Sequence, residues 1–409
     1  MKRNILVGQS GGPTAVINGS LAGVIEEGLR REEVGTVYGM INGIQGFLKD
    51  KRQDLSQTLN EEERERLEVT PASYLGSCRY KLPADLEDPV YPQIFAKLAQ
   101  YEIGYFLYIG GNDSMDTVSK LSAYAEKMAS DIVFIGIPKT IDNDLVMTDH
   151  TPGFGSAARF VATMVREITL DAEVYDTSSV TIVEIMGRSA GWLTASSVLA
   201  RRFEGDNPAL VYLPETNFDP EAFLKDTADM LKEKQNVIVC VSEGIHDAEG
   251  VHICEYAQAT GTDAFGHKML AGCGKYLENL VRSRLGVKVR SVELNVLQRC
   301  HVPCVAGVDL AEAKECGIQG VRMALQGMTG QMVSMQRTSG EAYGLTYEAV
   351  DVSQVCNREK CVPEAWITPE GTDLTEAFIA YARPLIQGEV SVPMEDGLPR
   401  YLYRMPKKG

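Results

Sequence analysis

The sequence has no uninterrupted apolar run that approaches 18 residues, so it predicts no membrane-spanning helix and no membrane partner. Its nine cysteines are scattered and form no Cys-x-x-Cys pair, which is typical of free thiols in a reducing, cytoplasmic compartment. The first residues, MKRNILVGQSGGP, lack the apolar core of a signal peptide. Basic residues are also few, with 40 Lys and Arg against 56 Asp and Glu, a net charge of −16. This balance argues against a nucleic-acid partner.

The composition is ordinary for a soluble globular protein, with 44% apolar and 23% charged residues among 409. Short apolar runs alternate with longer amphipathic stretches. The runs show no polar alternation, which is typical of strands buried on both faces of a parallel sheet. The order of the segments therefore predicts a doubly wound α/β architecture. The predicted strands cover residues 5–7, 105–109, 132–137, 181–185, 210–213 and 237–241, and the predicted helices cover residues 15–31, 114–130, 155–171, 190–202, 220–234 and 265–284.

A glycine-rich turn at residues 8–14 (GQSGGPT) follows the first predicted strand and precedes the first predicted helix. Glycines such as Gly11 and Gly12 allow positive φ angles and leave backbone N–H groups exposed. Together with the N-terminus of the next helix, these donors favour a bound anion, most often phosphate. The glycines are also compatible with a simple packing role, because the turn is neither a GxGxxG motif nor a Walker A motif.

A second glycine-rich turn, residues 110–114 (GGNDS), again lies between a strand and a helix. The carboxylate of Asp113 repels phosphate, so its presence in a phosphate-binding turn needs an explanation. It can hold Mg²⁺, which takes hard oxygen ligands together with phosphate oxygens, or it can exclude part of a ligand. The structural alternative is that Asp113 or Ser114 caps the next helix.

A third turn, residues 138–144 (PKTIDND), combines a cation, a hydroxyl and two carboxylates. An ionised aspartate accepts a hydroxyl proton at neutral pH, so one carboxylate can act as general base while the other helps to hold a metal. Lys139 can neutralise phosphate charge as a compact cation. The alternative is a purely structural Asx turn.

Four further segments place polar or charged residues at strand ends. Arginines that converge from several strand ends bind a phosphorylated substrate through bidentate hydrogen bonds. A single arginine is more often part of a surface ion pair, so this prediction depends on convergence in the fold. The residues concerned are Met186, Gly187, Arg188, Glu243, Arg290 and Arg299.

At these residues the sequence resembles the phosphofructokinase family. The resemblance runs through GGP at 11–13, LGSCR at 75–79, GGNDS, PKTIDND, MGR at 186–188, SEG at 242–244 and LQR at 297–299, and it covers about the first 310 residues. It implies two doubly wound α/β domains with the active site in the cleft between them. It also implies phosphoryl transfer to the 1-hydroxyl of fructose 6-phosphate, with Mg²⁺ as cofactor.

The resemblance further implies roles for individual residues. Asp142 matches the general base that takes the proton from the sugar hydroxyl, and Asp144 matches the second acid, which is associated with magnesium. The implied catalytic residues are Asp142, Lys139 and Thr140; the donor-binding residues are Gly11, Gly12, Arg79, Gly111, Asp113 and Ser114; the substrate-binding residues are Thr140, Asp142, Met186, Gly187, Arg188, Glu243, Arg290 and Arg299; and the metal-binding residues are Asn112, Asp113 and Asp144.

Two positions bear on the phosphoryl donor. ATP-dependent members of the family usually have glycine where Asp113 and Lys139 stand, whereas pyrophosphate-dependent members resemble this sequence at both. Two unit charges about 4 Å apart repel by about 4 kcal/mol at an effective dielectric of about 20, so Asp113 disfavours the α-phosphate of ATP. We therefore expect pyrophosphate as donor. The alternatives are an ATP-dependent 6-phosphofructokinase and, from another class, a non-catalytic sugar-phosphate-binding regulatory subunit.

Three positions depart from the usual family pattern. Asn112 stands where most relatives have a magnesium-binding aspartate, and an amide coordinates only through its neutral carbonyl oxygen. Val296 replaces a histidine near the sugar, and Ser179 replaces an arginine that in ATP-dependent bacterial relatives crosses a subunit interface. Sedoheptulose 7-phosphate is therefore a further candidate acceptor.

The predicted domain organisation has three parts. Residues 1–152 and about 300–350 are expected to bind the donor and the metal, residues 153–299 the sugar phosphate, and residues 351–409 are expected to decorate the core. A homodimer or homotetramer is expected, because relatives assemble in this way and large soluble proteins favour closed symmetry.

Overall fold

The computed structural model describes residues 2–256, 272–340 and 342–404, so the first part of the helix predicted at 265–284 lies outside the described residues. The strands are β1 (Arg3–Gln9), β2 (Val34–Met40), β3 (Arg52–Asp54), β4 (Ile103–Gly110), β5 (Val133–Pro138), β6 (Ser179–Ile185), β7 (Leu210–Tyr212), β8 (Asn236–Ser242), β9 (Lys288–Glu293), β10 (Gln331–Arg337), β11 (Leu345–Asp351), β12 (Met394–Glu395) and β13 (Leu398–Pro399). The helices are α1 (Ile17–Arg30), α2 (Gly43–Phe47), α3 (Leu55–Thr58), α4 (Glu61–Glu68), α5 (Val90–Gln100), α6 (Asn112–Lys127), α7 (Phe154–Ala172), α8 (Trp192–Ala195), α9 (Pro220–Glu233), α10 (Cys273–Leu285), α11 (Gly307–Leu325) and α12 (Glu376–Ala382). Within the described ranges, no helix combines the length and apolarity needed to cross a membrane.

A seven-stranded sheet has the order β11-β10-β5-β4-β1-β2-β3. Its five central strands are parallel, and β3 and β11 pair antiparallel at the edges. Successive residues of β1 enter different cores, with Ile5 in the cluster on one face and Leu6 in the cluster on the other. On one face α1 packs closely on α11, where a Cβ on Gly23 would lie 2.0 Å from the carbonyl oxygen of Lys314. Both faces of this sheet are therefore covered.

A four-stranded parallel sheet has the order β7-β8-β6-β9. It too is buried on both faces, because Ile182 of β6 enters one core cluster and Val183 enters another. Two largely parallel sheets, each packed on both faces, confirm the predicted doubly wound α/β class.

The helix predicted at residues 190–202 is wrong in type and length. The structure has only the short α8 (Trp192–Ala195), followed by a 3-10 helix, Ser196–Ala200. At its end the Arg201 N–H donates to the carbonyl oxygen of Val198 at 3.2 Å, a backbone i to i−3 hydrogen bond of the tighter 3-10 winding.

The strands of the two sheets come from different parts of the chain. Residues 3–138 and 331–351 supply the seven-stranded sheet, and residues 179–293 supply the four-stranded sheet. The strands that form a sheet do not by themselves define where a domain begins or ends. The domain boundaries expected from the sequence therefore stay a prediction. The C-terminal segment enters both cores, with Val355 buried beside the first sheet and Val362 beside the second.

The carboxyl ends of the parallel strands bring the predicted turns together. Gln9 at the end of β1 is level with the penultimate residue of β4, and Gly110 at the end of β4 is level with Pro138 at the end of β5. In the second sheet, Ile185 at the end of β6 is level with Ser242 at the end of β8. The side chains that follow these strands lie at the edges where open α/β sheets bind ligands.

Candidate active site

Lys139 joins the two glycine-rich turns, through its side chain and its backbone. The Lys139 backbone N–H donates to the carbonyl oxygen of Gly110 at 3.0 Å, and its Nζ donates to the carbonyl oxygen of Gly12 at 2.6 Å. Gly11 has a φ of 76°, and a Cβ there would lie 3.4 Å from Lys139 Nζ. Glycine at residue 11 therefore serves both the left-handed backbone and the close approach of the amine.

Lys139 lies among charges of both signs. The residue is 3% exposed, and burial lowers its pKa to about 8. The carboxylates of Asp142 and Asp144 oppose this shift, whereas the positive charges of Arg299 and Arg79 add to it. The structure therefore brings five of the predicted residues into electrostatic range of one another.

Asp142 is held in a tight turn by Thr140. The Thr140 hydroxyl accepts a hydrogen bond from the Asp142 N–H at 3.1 Å and donates to Asp142 Oδ2 at 3.5 Å. Asn143 follows with a φ of 54°, in the left-handed region that asparagine tolerates. Burial raises the pKa of Asp142, while the charges of Lys139 and Arg188 act in the opposite direction. The carboxylate is thus a stronger base than a surface aspartate, with its hydroxyl partner in place.

Asp144 is the second carboxylate of the same turn. Burial and the negative charge of Asp142 raise the pKa of Asp144 to about 7. Glu359 adds to this shift and Lys360 opposes it, so the C-terminal segment also reaches this carboxylate. Two carboxylates in one buried site favour a neutral form of one of them unless a cation is bound nearby.

Glu243 extends the charged group to the second sheet. The Gly187 N–H donates to Glu243 Oε1 at 3.5 Å, and Ser242 Oγ donates to the carbonyl oxygen of Gly187. Burial, followed by the charge of Asp142, raises the pKa of Glu243 to about 7, and Arg188 opposes this shift. The MGR and SEG segments of the second sheet therefore face the PKTIDND turn of the first.

The LQR segment contacts both sides of the site. The Met186 N–H donates to Gln298 Oε1 at 3.2 Å, and Gln298 is 2% exposed. A Cβ on Gly12 would lie 3.0 Å from Arg299 Nη1, which places Arg299 beside the first glycine-rich turn. Arg188 Nε is buried without a hydrogen-bond partner among the described residues. Sequence reasoning named the two arginines and missed Gln298, whose only signal was its place beside Arg299 in the LQR motif.

The GGNDS turn forms the start of α6. The N-cap is Gly111, and no side chain caps this helix, so the alternative that Asp113 or Ser114 acts as the cap is wrong. Ser114 is buried, and its Oγ would lie 1.9 Å from a Cβ on Gly110. Asp113 is exposed in the first turn of the helix. The carboxylate therefore has no capping role that would explain its presence.

Both halves of the Asn112 amide contact the C-terminal segment. Asn112 Nδ2 donates to the carbonyl oxygen of Arg358, and Asn112 Oδ1 accepts from the Asn357 N–H, each at 2.5 Å. The Lys360 N–H donates to the carbonyl oxygen of Asp144 at 2.8 Å. Sequence reasoning missed residues 357–360, because contacts between positions more than 200 residues apart leave no local pattern.

The structure does not bring Arg290 to this group. Arg290 is level with Thr181, four residues before the level of Ile185, which is about 13 Å along the strand. Its guanidinium pairs with Asp171 at 3.6 Å beside a surface cavity of about 260 Å³. The predicted strand-end position of Arg290 is wrong, because β9 continues to Glu293.

Residues 4–324 match a family model described as phosphofructokinase. The chain belongs to the phosphofructokinase family. The pyrophosphate–fructose 6-phosphate 1-phosphotransferase of Rhodospirillum rubrum is 42% identical, over 94% of this chain and 94% of that protein. The protein of the same name from Halomonas elongata is 40% identical, over 98% of this chain and 95% of that protein. The crystal structure of the pyrophosphate-dependent phosphofructokinase from Marinobacter aquaeolei is 34% identical, with a TM-score of 0.88 over 100% of this chain and 98% of that chain.

Family membership confirms both the resemblance seen in the sequence and the phosphofructokinase-like fold. The family model ends at residue 324, so β10, β11 and the C-terminal segment of this phosphofructokinase lie beyond it. The two relatives nevertheless align with at least 94% of the chain, so the C-terminal segment belongs to the part that they share with it.

Proposed function

We propose that this phosphofructokinase transfers a phosphoryl group reversibly from pyrophosphate to the 1-hydroxyl of fructose 6-phosphate, giving fructose 1,6-bisphosphate and phosphate in glycolysis. The observation that carries the proposal is the buried amine of Lys139 against the Gly12 carbonyl oxygen, between the two glycine-rich turns. Two relatives at 42% and 40% identity bear the name of this activity. Phosphoryl transfer depends on positioning and charge neutralisation, which a buried cluster of mixed charge supplies.

In this proposal Asp142 is the general base. The sugar 1-hydroxyl loses its proton to the Asp142 carboxylate as its oxygen attacks the terminal phosphorus of the donor. Thr140 holds Asp142 in position through hydrogen bonds with its backbone N–H and with its Oδ2, and the charges of Lys139 and Arg188 oppose the rise in its pKa that burial causes. Proton transfer by a positioned base typically contributes about 10²–10⁴-fold to the rate.

Lys139 and Asp113 make the site selective for the donor. Lys139 neutralises the high negative charge of pyrophosphate beside the glycine-rich turns, where its Nζ donates to the carbonyl oxygen of Gly12. Asp113 is exposed at the start of α6, where it repels the further phosphate of ATP. Gly11, Gly111, Ser114 and Arg79 complete the proposed donor site, because they belong to the same turns or act on the same lysine.

The proposed cofactor is Mg²⁺, and the residues present fit it in part. The described residues contain no group of three or more acidic, histidine or cysteine side chains that could hold a metal alone. Mg²⁺ in phosphoryl-transfer sites is held by one or two carboxylates together with substrate phosphates, so a smaller set is sufficient. Asp144 is the best ligand, since a cation relieves its repulsion from Asp142, and Asp113 is the second. Asn112 is the weakest of the three, because its oxygen already accepts a hydrogen bond from Asn357.

The acceptor sugar is proposed to lie against the second sheet. Glu243 and Gly187 are joined by a hydrogen bond beside Asp142, which places hydroxyl-binding groups next to the base. Arg188 and Arg299 supply positive charge for the sugar phosphate. Arg290 is absent from this group, so its predicted role in phosphate binding requires a contact outside its own chain's site.

A donor panel tests the proposal directly. Purified, nucleotide-free protein is assayed with pyrophosphate, ATP and longer polyphosphate against fructose 6-phosphate and sedoheptulose 7-phosphate. We expect pyrophosphate to give a kcat/KM well above that of ATP, and the Asp113→Gly variant to narrow this gap. A higher kcat/KM with ATP identifies the ATP-dependent alternative. Sugar-phosphate binding without turnover on any donor identifies the regulatory subunit.

A further inference from the structure

Residues 355–362 form a strap that crosses from the first sheet to the second. At one end Val355 is fully buried in the core that contains Phe106 and Phe134. At the other end Val362 is 3% exposed in the core that contains Trp192. The strap is therefore anchored in both hydrophobic cores, and the residues between its ends pass along the candidate active site.

The first polar anchor of the strap is Asn112, in the turn at residues 110–114 (GGNDS). This turn belongs to the proposed donor site and is called the donor turn. Its amide uses one donor and one acceptor on the strap backbone, toward Arg358 and Asn357. An aspartate at this position has no N–H, so a carboxylate oxygen would face the carbonyl oxygen of Arg358. The asparagine that departs from the usual family pattern is thus the residue type that this contact requires.

The second polar anchor is Lys360, which holds the turn at residues 138–144 (PKTIDND). This turn carries the proposed base and is called the catalytic turn. Its N–H donates to the carbonyl oxygen of Asp144 at 2.8 Å. Its Nζ donates to the carbonyl oxygens of Thr148 and Asp149 at 3.1 and 2.8 Å, and lies 3.5 Å from Asn143 Oδ1. One side chain therefore closes the loop that carries the two candidate carboxylates.

The far end of the strap is tied to the sugar side. Trp192 Nε1 donates to the carbonyl oxygen of Lys360 at 2.8 Å, and the Val362 N–H donates to Glu215 Oε1 at 2.9 Å. The same carboxylate oxygen accepts from the Gly191 N–H at 2.8 Å, just after the MGR segment. A single eight-residue segment thus contacts the donor turn, the catalytic turn and the second sheet.

We propose that Asn112 and Lys360 are positioning residues, which use the strap to hold the donor turn and the catalytic turn in one arrangement. The inference rests on the proposed function, since it concerns the same site. It assigns Asn112 to the strap rather than to the metal. Neither residue needs to touch the reacting atoms, because a small misplacement of the two turns is enough to slow the reaction.

The first experiment changes Asn112 to aspartate and measures amide hydrogen exchange of residues 355–362 in the full-length protein. We expect exchange to speed up by about tenfold, because one hydrogen bond is lost and a repulsion is introduced. The matched control is Asn279→Asp, at a surface asparagine on α10 that accepts from Arg282. Unchanged exchange in the Asn112→Asp protein overturns the proposal. A lower Mg²⁺ requirement with unchanged exchange identifies Asn112 as a metal ligand instead.

The second experiment compares Lys360→Met with Lys360→Arg. We expect Lys360→Met to lower kcat by at least about tenfold, to speed exchange of residues 143–149, and to leave the Kd for fructose 6-phosphate within about twofold. Arginine should restore part of kcat, since it keeps the donors. Lys314→Met is the control, because Lys314 is also hydrogen-bonded and part-buried but lies on α11 beside Glu68.

A Lys360→Met protein with wild-type kcat overturns the proposal for this residue. An equal loss of kcat in Lys360→Met and Lys360→Arg does so as well, because it points to a general disturbance of packing. The exchange measurements do not depend on turnover. If the wild-type protein fails to use pyrophosphate, the proposed function is wrong, while the exchange data still decide whether Asn112 and Lys360 anchor the strap.

Discussion

At the scale of single residues, burial sets the acid-base behaviour of the candidate site. Burial raises the pKa of Asp142, raises that of Asp144 to about 7 and lowers that of Lys139 to about 8. Each pKa shift is opposed by a neighbour of opposite charge, so the charged form of each side chain depends on the others. Bound phosphate and Mg²⁺ would enter the same balance of charge.

Changing Asp142 to asparagine tests the general base. The amide keeps the size of the side chain and cannot accept the hydroxyl proton, so kcat should fall by about 10²–10⁴-fold with little change in substrate binding. Steady-state rates and fructose 6-phosphate titrations measure the two effects. The control is Asp396→Asn, in the exposed β12–β13 hairpin, where φ is 51° and asparagine is tolerated. A variant that turns over at the wild-type rate would show that another group is the base.

The lowered pKa of Lys139 predicts a decline of activity at alkaline pH. In the proposed function its ammonium form neutralises pyrophosphate, and this form is lost as the pH rises through about 8. We expect kcat/KM for pyrophosphate to fall across that range in the wild-type protein. Lys139→Arg stays charged, so its normalised profile should remain flatter. Ionisation of pyrophosphate affects both proteins alike, and identical profile shapes would rule out Lys139 as the titrating group.

At the scale of secondary-structure elements, a buried ion-pair network supports the loop after the catalytic turn. His150 is 1% exposed, and its ring nitrogens lie 2.8 Å from Asp149 Oδ1 and from Glu312 Oε2 on α11. The Tyr343 hydroxyl donates to Glu312 Oε1, and Arg337 of β10 donates to Asp149. The network joins α11, β10 and the loop, so the catalytic turn is fixed by elements far along the chain.

His150→Gln should destabilise the protein in a pH-dependent way. Burial alone would lower the pKa of His150, but the hydrogen bonds to Asp149 and Glu312 outweigh it and raise the pKa. The stabilisation by the imidazolium is therefore complete below about pH 6.5 and is lost as the pH rises through the raised pKa. Removal of one partner from a buried ion pair costs about 3 kcal/mol.

Melting temperatures between pH 5.5 and 9 check this expectation. The gap between wild type and His150→Gln should be largest near pH 6 and should narrow as the pH rises. A gap that is constant over the range would mean that the pKa of His150 is the same in the folded and the unfolded protein. The control is His252→Gln, at a part-buried histidine whose Nδ1 lies 3.3 Å from the Gly244 carbonyl oxygen.

At the scale of the whole molecule, the position of Arg290 bears on the predicted oligomer. Arg290 is 46% exposed and lies far from the other site residues of its own chain. If it binds the sugar phosphate as the sequence predicts, it does so in the site of a second copy. This reading fits the expected homodimer or homotetramer, whose closed symmetry would repeat the contact in every subunit.

Mixed oligomers test this reading. Arg290→Ala and Asp142→Asn should each be poorly active at low fructose 6-phosphate concentration. Co-refolded or co-expressed mixtures should regain up to about a quarter of wild-type activity, because some sites combine an intact Asp142 with an intact Arg290 from the neighbour. Light scattering gives the mass of the assembly. Absence of recovery in a mixed oligomer would show that Arg290 does not act across the interface.

Comparison of sequence and structure shows which features had a local signal. The six predicted strands, β1 and β4 to β8, and the GGNDS and PKTIDND turns were predicted correctly in place, because apolar runs and strand-end glycines are local patterns. The strands β2 and β10, which lie in the same large sheet, were missed. Residues 190–202 were mispredicted, because an amphipathic pattern does not separate an α-helix from a 3-10 helix. Arg290 was placed at a strand end, because the amphipathic β9 lacked the apolar run by which the six predicted strands were recognised.

The sequence by itself determined the doubly wound α/β class, the family and the residues that carry charge at the strand ends, since these follow from local order along the chain. Only the tertiary structure decided that the strap that carries Lys360 binds Asn112, that Gln298 supports Met186, and that Arg290 stands apart. The reason is physical. The pKa of a buried carboxylate and the partners of a buried amide depend on groups that the fold brings close together. The number of residues between such groups in the sequence does not indicate how close they lie in space.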